Sequence, residues 1–194
     1  MFKKDWRSQI LTVPNLLSLF RLILIPVYIR IYLRARTPAQ FYTAGAILVV
    51  SCLTDAIDGK IARKYNMVTT LGKILDPLAD KITQFTLTLC LRIRYPVLRP
   101  VLALFVVKEL FQLMLGIINL MQGRILPGAL MTGKVCTTVL FLSLILLVLL
   151  PQLPSPIVSA VALVDSGFLV VSFVSYLFAY LGKHPLVQDL KHME

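Results

Sequence analysis

The stretch DAIDGKIARKYNMVTTLGKILDPLAD, residues 55–80, places four aspartates in a chain that is apolar on both sides. Asp55 and Asp58 are three residues apart, and Asp76 and Asp80 are four apart, so each pair shares one face of a helix. Because the connection between the two helices is short, we expect them to be antiparallel neighbours. The sequence therefore predicts that the four carboxylates converge in one cleft.

The composition around this stretch indicates a membrane protein. Of the 194 residues, 58% are hydrophobic and 15% are charged, and the mean hydropathy is +0.83. Soluble domains are about 45–50% apolar and about 25% charged, and a spanning helix needs roughly 20 mostly apolar residues. We predict an all-α fold, an integral membrane six-helix bundle that forms a single membrane-embedded domain over residues 1–194 and begins with a short amphipathic segment. The predicted spans are 14–34, 39–65, 70–92, 97–122, 131–150 and 156–182.

The charge is strongly basic, with 20 Lys and Arg against 9 Asp and Glu and a net charge of +11. The basic residues are spread along the ends of the predicted helices, which favours anionic lipid headgroups or a phosphate-bearing substrate over nucleic acid. More of them fall on the side that carries both chain ends. By the positive-inside rule, we expect both termini in the cytoplasm and the aspartates at the cytoplasmic face of the cell membrane.

Acids inside a membrane are costly, so they usually face a partner or a cavity. One interpretation of the four aspartates is that they form ion pairs within a helical hairpin. The basic residues available for it nearby are Lys60, Arg63, Lys73 and Lys81. The other interpretation is a divalent metal site, because carboxylate oxygens suit Mg²⁺, Mn²⁺ or Ca²⁺, and four acids are enough for two metal ions. Small residues beside the acids would let helices or a ligand approach closely. They are Gly59, Ala62 and Gly72.

This spacing resembles the signature of the CDP-alcohol phosphatidyltransferase family at each of eight fixed positions, Asp55-x2-Asp58-Gly59-x2-Ala62-Arg63-x8-Gly72-x3-Asp76-x3-Asp80. The resemblance implies that CDP-diacylglycerol gives its phosphatidyl group to an alcohol and that CMP leaves. It implies two Mg²⁺ or Mn²⁺ ions on the four aspartates, with Asp80 also the catalytic base for the attacking hydroxyl. The CDP-binding residues that it implies are Asp58, Gly59, Ala62, Arg63 and Gly72. Relatives in the family are often homodimers.

The acceptor alcohol is less well defined by the sequence. The segments VPNLLSLFRLILIP (13–26) and TGKVCTTV (132–139) resemble phosphatidylglycerophosphate synthases of this family, which favours glycerol 3-phosphate. The candidate acceptor-binding residues are Arg21, Lys81, Lys108 and Lys134. Three of these residues also have an alternative role that does not involve the acceptor. Arg21 would snorkel to the interface, Lys108 would form a buried pair with Glu109, and Lys134 would anchor the cytoplasmic side.

Two departures from those synthases leave a second acceptor open. Lys108 stands where they often carry arginine, with no second arginine about two turns later, and Ser175 stands before Tyr176 where many relatives carry aspartate. Fewer cations leave room for phosphatidylglycerol as acceptor, as in cardiolipin synthases. A cation transporter or channel is the alternative from another class, but it predicts midplane acids and repeat symmetry, and the sequence shows neither. Asp165 is expected to be an outer interface acid or a packing contact.

Overall fold

The computed structural model describes residues 13–64, 72–121, 124–125, 130–181 and 188–189. Side chains are described for residues 15–54, 76–119, 121 and 130–180. The predicted amphipathic segment before the first span lies outside the described residues.

The regular secondary structure in the described part of the chain is helical except for two very short strands. The helices are α1 Val13–Arg34, α2 Pro38–Lys64, α3 Gly72–Arg94, α4 Arg99–Met121, α5 Met131–Leu149 and α6 Ser155–Leu181. A 3₁₀ turn, Pro96–Leu98, precedes α4. The strands β1 (Arg124–Ile125) and β2 (Gln188–Asp189) pair antiparallel. The prediction of six helices in an all-α fold is confirmed.

Four of the described helices contain segments long and apolar enough to cross a membrane by themselves. These segments are Asn15–Arg34, Pro96–Asn119, Met131–Leu149 and Ser155–Tyr180. The described apolar part of α2 is shorter, Pro38–Thr54, and α3 is not among the four. The reason is the charge that α3 carries, since Asp76 and Asp80 interrupt its first half and Arg92 and Arg94 close its last turn. The chain is a multi-pass membrane protein in which α3 is the most polar helix.

The residues group into two compact units, Met1–Cys90 with Ile145–Gln152, and Leu91–Leu144 with Leu153–Glu194. We call them unit 1 and unit 2; the single domain predicted over 1–194 stays a prediction. In unit 1, α1 packs along α2. Tyr28 stacks on Tyr32, whose ring meets the edge of Phe41 with centroids 5.4 Å apart. These aromatic contacts fix α1 against the start of α2.

Unit 2 is built on the contact between α4 and α6. Phe111 packs on Phe173 with ring centroids 4.8 Å apart. The start of α5 packs closely against α6 at Gly133. A Cβ atom at this position would lie 2.6 Å from the hydroxyl oxygen of Tyr176. That hydroxyl also accepts a hydrogen bond from the backbone N–H of Leu130 at 3.1 Å. Glycine at position 133 therefore allows the tyrosine to reach the backbone before α5.

Candidate active site

One face of α1 is polar and completely covered. Asn15, Ser18 and Arg21 recur every three residues, and their exposed fractions are 1%, 0% and 3%. Buried polar side chains in a spanning helix must find hydrogen-bond partners inside the protein, because lipid offers none. The polar face of α1 therefore has to meet another polar helix.

The partner helix is α3. The Ser18 hydroxyl donates a hydrogen bond to Asp76 Oδ1 at 2.5 Å, and Arg21 Nη1 donates to Asp80 Oδ1 at 2.5 Å. The later residue of α1, Arg21, contacts the later residue of α3, Asp80, and the earlier residues Ser18 and Asp76 contact each other. The two helices therefore run parallel here. Both contacts lie within unit 1 and hold the two aspartates side by side, one helical turn apart.

The two partners of the ion pair differ in exposure. The Arg21 side chain is 3% exposed, whereas the Asp80 side chain is 49% exposed, and Asp76 is half-buried. The guanidinium group therefore lies inside the protein, and the Asp80 carboxylate reaches open space. Because the head of a snorkelling arginine stays in water, the snorkelling interpretation of Arg21 is wrong.

The structure brings together two of the four predicted metal ligands. Asp76 and Asp80 present part-exposed carboxylates on one face of α3, and oxygen donors of this kind fit Mg²⁺ or Mn²⁺. The side chains of Asp55 and Asp58 lie outside those described, as do the predicted CDP-binding residues Gly59, Ala62, Arg63 and Gly72. Among the described side chains, no three acids, histidines or cysteines cluster as a metal site. Convergence of all four aspartates stays a prediction.

Of the predicted acceptor-binding residues, Lys108 is already engaged. It is 2% exposed, donates to Glu109 Oε1 at 2.7 Å, and lies 6.0 Å from the ring centre of Tyr176 in unit 2. The structure thus contains the predicted pair of Lys108 and Glu109, with the lysine buried and the carboxylate partly exposed. Lys134 is exposed in the first turn of α5, and Lys81 is half-buried beside Asp80.

The contacts of Ser18 and Arg21 to the acids could not be inferred from neighbours in sequence. Position along the chain favoured Lys60, Arg63, Lys73 and Lys81 as countercharges, whereas the described structure supplies Arg21, which is 59 positions from Asp80. The available signal was the three-residue spacing of Asn15, Ser18 and Arg21 in an otherwise apolar helix. That spacing marks a buried polar face without identifying the helix that covers it.

Asp165 on α6 is not an interface acid, and that interpretation is wrong. The residue is 0% exposed, inside unit 2. Ser143 on α5 interacts with its carboxylate, but neither carboxylate oxygen has a hydrogen bond of good geometry among the described residues. Asp165 is therefore a buried packing contact, the other part of the expectation.

Fold and site together define a class: a multi-pass helical membrane protein whose third helix carries two acids held by α1. The family model for CDP-alcohol phosphatidyltransferase matches residues 11–179. The chain belongs to the CDP-alcohol phosphatidyltransferase family, as the spacing of the aspartates indicated.

Relatives within the family carry two kinds of name. The chain is 39% identical over 139 residues to a CDP-diacylglycerol–glycerol-3-phosphate 3-phosphatidyltransferase of Aquifex aeolicus, covering 71% of this chain and 74% of that protein. It is 46% identical over 72 residues to a protein of the same name from Wigglesworthia glossinidia brevipalpis, covering 37% of this chain and 39% of that protein. It is 38% identical over 77 residues to a cardiolipin synthase (CMP-forming) of Streptomyces coelicolor, covering 39% of this chain and 36% of that protein. The last two matches thus span less than half of either relative.

Proposed function

We propose that this protein transfers the phosphatidyl group of CDP-diacylglycerol to the hydroxyl of glycerol 3-phosphate and releases CMP. The observation that carries the proposal is the pair of part-exposed carboxylates, Asp76 and Asp80, held side by side by Ser18 and Arg21. Membership of the family and the name of the Aquifex aeolicus relative support the same reaction.

The reaction requires one proton transfer and one exchange of bonds at phosphorus. The acceptor oxygen bonds to the phosphorus that carries diacylglycerol, and the bond from that phosphorus to the CMP oxygen breaks. The hydroxyl proton passes to Asp80. A general base must come within hydrogen-bond reach of this proton, and the 49% exposure of the Asp80 side chain permits that approach.

Asp55, Asp58, Asp76 and Asp80 would hold two Mg²⁺ or Mn²⁺ ions. Such ions, when bound, supply Lewis-acid stabilisation of the charge on the diphosphate. The chain's own contribution is orientation, since Ser18 fixes Asp76 and Arg21 fixes Asp80 while offsetting its negative charge. By family analogy the cytidine and diphosphate would bind along α2 and the start of α3. The residues proposed for this are Asp58, Gly59, Ala62, Arg63 and Gly72.

The second candidate is transfer to phosphatidylglycerol, which would yield cardiolipin. It is favoured by the pairing of Lys108 with Glu109 and of Arg21 with Asp80, because two of the four predicted acceptor cations already have a carboxylate partner. The name of the Streptomyces coelicolor relative agrees with it. Lys134 is exposed and stays the strongest candidate to hold the phosphate of glycerol 3-phosphate.

The lipid substrate implies a location. We propose that the protein lies in the cell membrane with its acidic site and both termini facing the cytoplasm, and that it forms a homodimer. Access of reagents to a single cysteine introduced near either terminus, in intact and in opened cells, tests the orientation.

The function is tested with the purified full-length protein, CDP-diacylglycerol and one acceptor at a time, either glycerol 3-phosphate or phosphatidylglycerol. We expect CMP release with glycerol 3-phosphate and a phosphatidylglycerophosphate product identified by mass. Cardiolipin as the product would replace the first candidate by the second. Asp80→Asn should abolish turnover, and Arg92→Gln, an exposed cation at the other end of α3, should not change it.

Two results would reject the proposal. One is near-normal turnover by a folded Asp80→Asn protein. The other is the lack of CMP release with either acceptor, together with cation flux through liposomes that needs no nucleotide, which would favour a transporter.

A further inference from the structure

A polar cavity lies at the end of α1 far from the acidic site. It is a wide-open surface cavity of about 310 Å³, and its polar lining side chains are exposed. It is lined by Arg30, Ile31, Arg34, Gln40 and Thr43. Arg30 is nine residues further along α1 than Arg21, or about 13 Å at 1.5 Å per residue. The two sites therefore lie at different depths in the membrane.

The cavity is positively charged, and the described part of unit 1 offers nothing to neutralise it. No Asp or Glu occurs from Trp6 to Thr54. The acidic side chains that the structure describes in unit 1 are those of Asp76 and Asp80, and they bond to Ser18 and Arg21. Arg30 and Arg34 are one turn apart and share a helix face, so both guanidinium groups can approach one ligand.

Gln40 adds a third donor to this cavity. Its side-chain oxygen accepts hydrogen bonds from the backbone N–H of Arg36 at 2.7 Å and of Thr37 at 3.2 Å. With the oxygen held by the backbone, the amide NH₂ is the end of Gln40 that can serve a ligand. The cavity also faces the N-terminal end of the long helix α2, where the helix dipole favours negative charge. Two guanidinium groups and an amide NH₂ form a donor set suited to phosphate oxygens.

The position of the cavity along the membrane-spanning helix favours a lipid phosphate over a free anion as its ligand. Arg30 lies one turn before the end of the apolar span Asn15–Arg34, so its guanidinium group can reach the level of the lipid headgroups. Ile31 gives the cavity an apolar wall, and Val27 and Leu33 nearby are 42% and 52% exposed on the same helix. A phosphate attached to acyl chains would satisfy both the arginines and these apolar surfaces.

We infer that this cavity binds the phosphate group of an anionic phospholipid. A zwitterionic headgroup fits less well, because its ammonium group would lie near two guanidinium groups. The inference does not depend on the proposed function, since none of the lining residues belongs to the acidic site.

The test is native mass spectrometry of the purified full-length protein with dioctanoyl phosphatidic acid, which has no headgroup hydroxyl to act as acceptor. Phosphatidylcholine of the same chain length and inorganic phosphate are the comparison ligands. The double variant R30Q/R34Q should bind phosphatidic acid about thirtyfold more weakly, from the usual contribution of each basic residue at an anionic surface. R92Q/R94Q removes the same charge from the end of α3 and should bind within about twofold of the wild type.

Four outcomes would overturn the inference. Unchanged binding by R30Q/R34Q would show that the cavity is not the site, and an equal loss in R92Q/R94Q would indicate general charge attraction. Equal binding of phosphatidylcholine would remove the selectivity for anionic lipids. Binding of inorganic phosphate as tight as that of phosphatidic acid would indicate a free-phosphate site.

R30K/R34K, which keeps the charge, should bind with intermediate affinity, and equal melting temperatures would show that all variants are folded.

Discussion

Replacement of Arg21 separates two roles that this residue could have. If Arg21 orients Asp80, as the hydrogen bond from its Nη1 atom indicates, Arg21→Gln should lower kcat. If Arg21 instead holds the acceptor, the same change should raise the KM for glycerol 3-phosphate. We expect the first result, with kcat reduced about 10–100-fold, the usual effect of removing a partner that orients a metal ligand or a catalytic group.

The effect of Arg21→Gln on stability follows from the exposure of the two partners. Breaking a fully buried ion pair costs about 3–5 kcal/mol, whereas an exposed pair contributes about 0–1 kcal/mol. Here the arginine is 3% exposed and the aspartate 49%, so Asp80 can regain water when its partner is removed. We therefore expect the free energy of unfolding to fall by about 1–2 kcal/mol, which leaves the variant folded.

The assay is steady-state CMP release at varied acceptor concentration, together with a thermal unfolding curve for each variant. Arg21→Lys keeps the charge but loses the planar fork of donors, so it should recover most of the stability and only part of kcat. Arg92→Gln is the matched control for loss of a cation and should keep both. An unchanged kcat with a raised KM for the acceptor in Arg21→Gln would refute the positioning role.

Three further predictions concern packing, burial and metal. Gly133→Ala should destabilise unit 2 by about 1–3 kcal/mol, because the new Cβ would lie 2.6 Å from the Tyr176 hydroxyl oxygen; Gly167→Ala, with no atom within 4 Å, should not lower the melting temperature. Asp165→Asn should raise the melting temperature, because it replaces a buried carboxylate without a well-formed hydrogen bond by a neutral group of the same shape; a fall would show that the charge is stabilised. Removal of divalent ions by a chelator should stop CMP release, and Mg²⁺ or Mn²⁺ should restore it; full activity after chelation would contradict the proposed metal site.

The positions of the helices could be predicted from sequence because their ends carry strong local signals. Each described helix begins and ends within two residues of its predicted span. Pro38 stands at the first position of α2 and Pro156 at the second position of α6, where the missing N–H has no cost. Apolar runs of spanning length between such signals leave little freedom in where a membrane helix lies.

The contacts between helices could not be predicted to the same degree. Periodicity places Ser18 and Arg21 on one face of α1, but it does not identify the helix that packs there. For Asp165 even the buried face of the helix could not be predicted. Because α6 is apolar around its whole circumference, its sequence does not indicate which side packs against the protein. Depth along the helix was therefore the only guide, and it left an interface acid and a packing contact both open, of which the structure shows the second.

The hydrogen bond from Arg21 to Asp80 also constrains how the chain is assembled. The ribosome makes Arg21 59 residues before Asp80, a delay of about 3–12 seconds at 5–20 residues per second. During that interval the first span holds a guanidinium group whose native counterion has not yet been synthesised. The surroundings that bury this guanidinium group are therefore completed only when the third helix packs against the first.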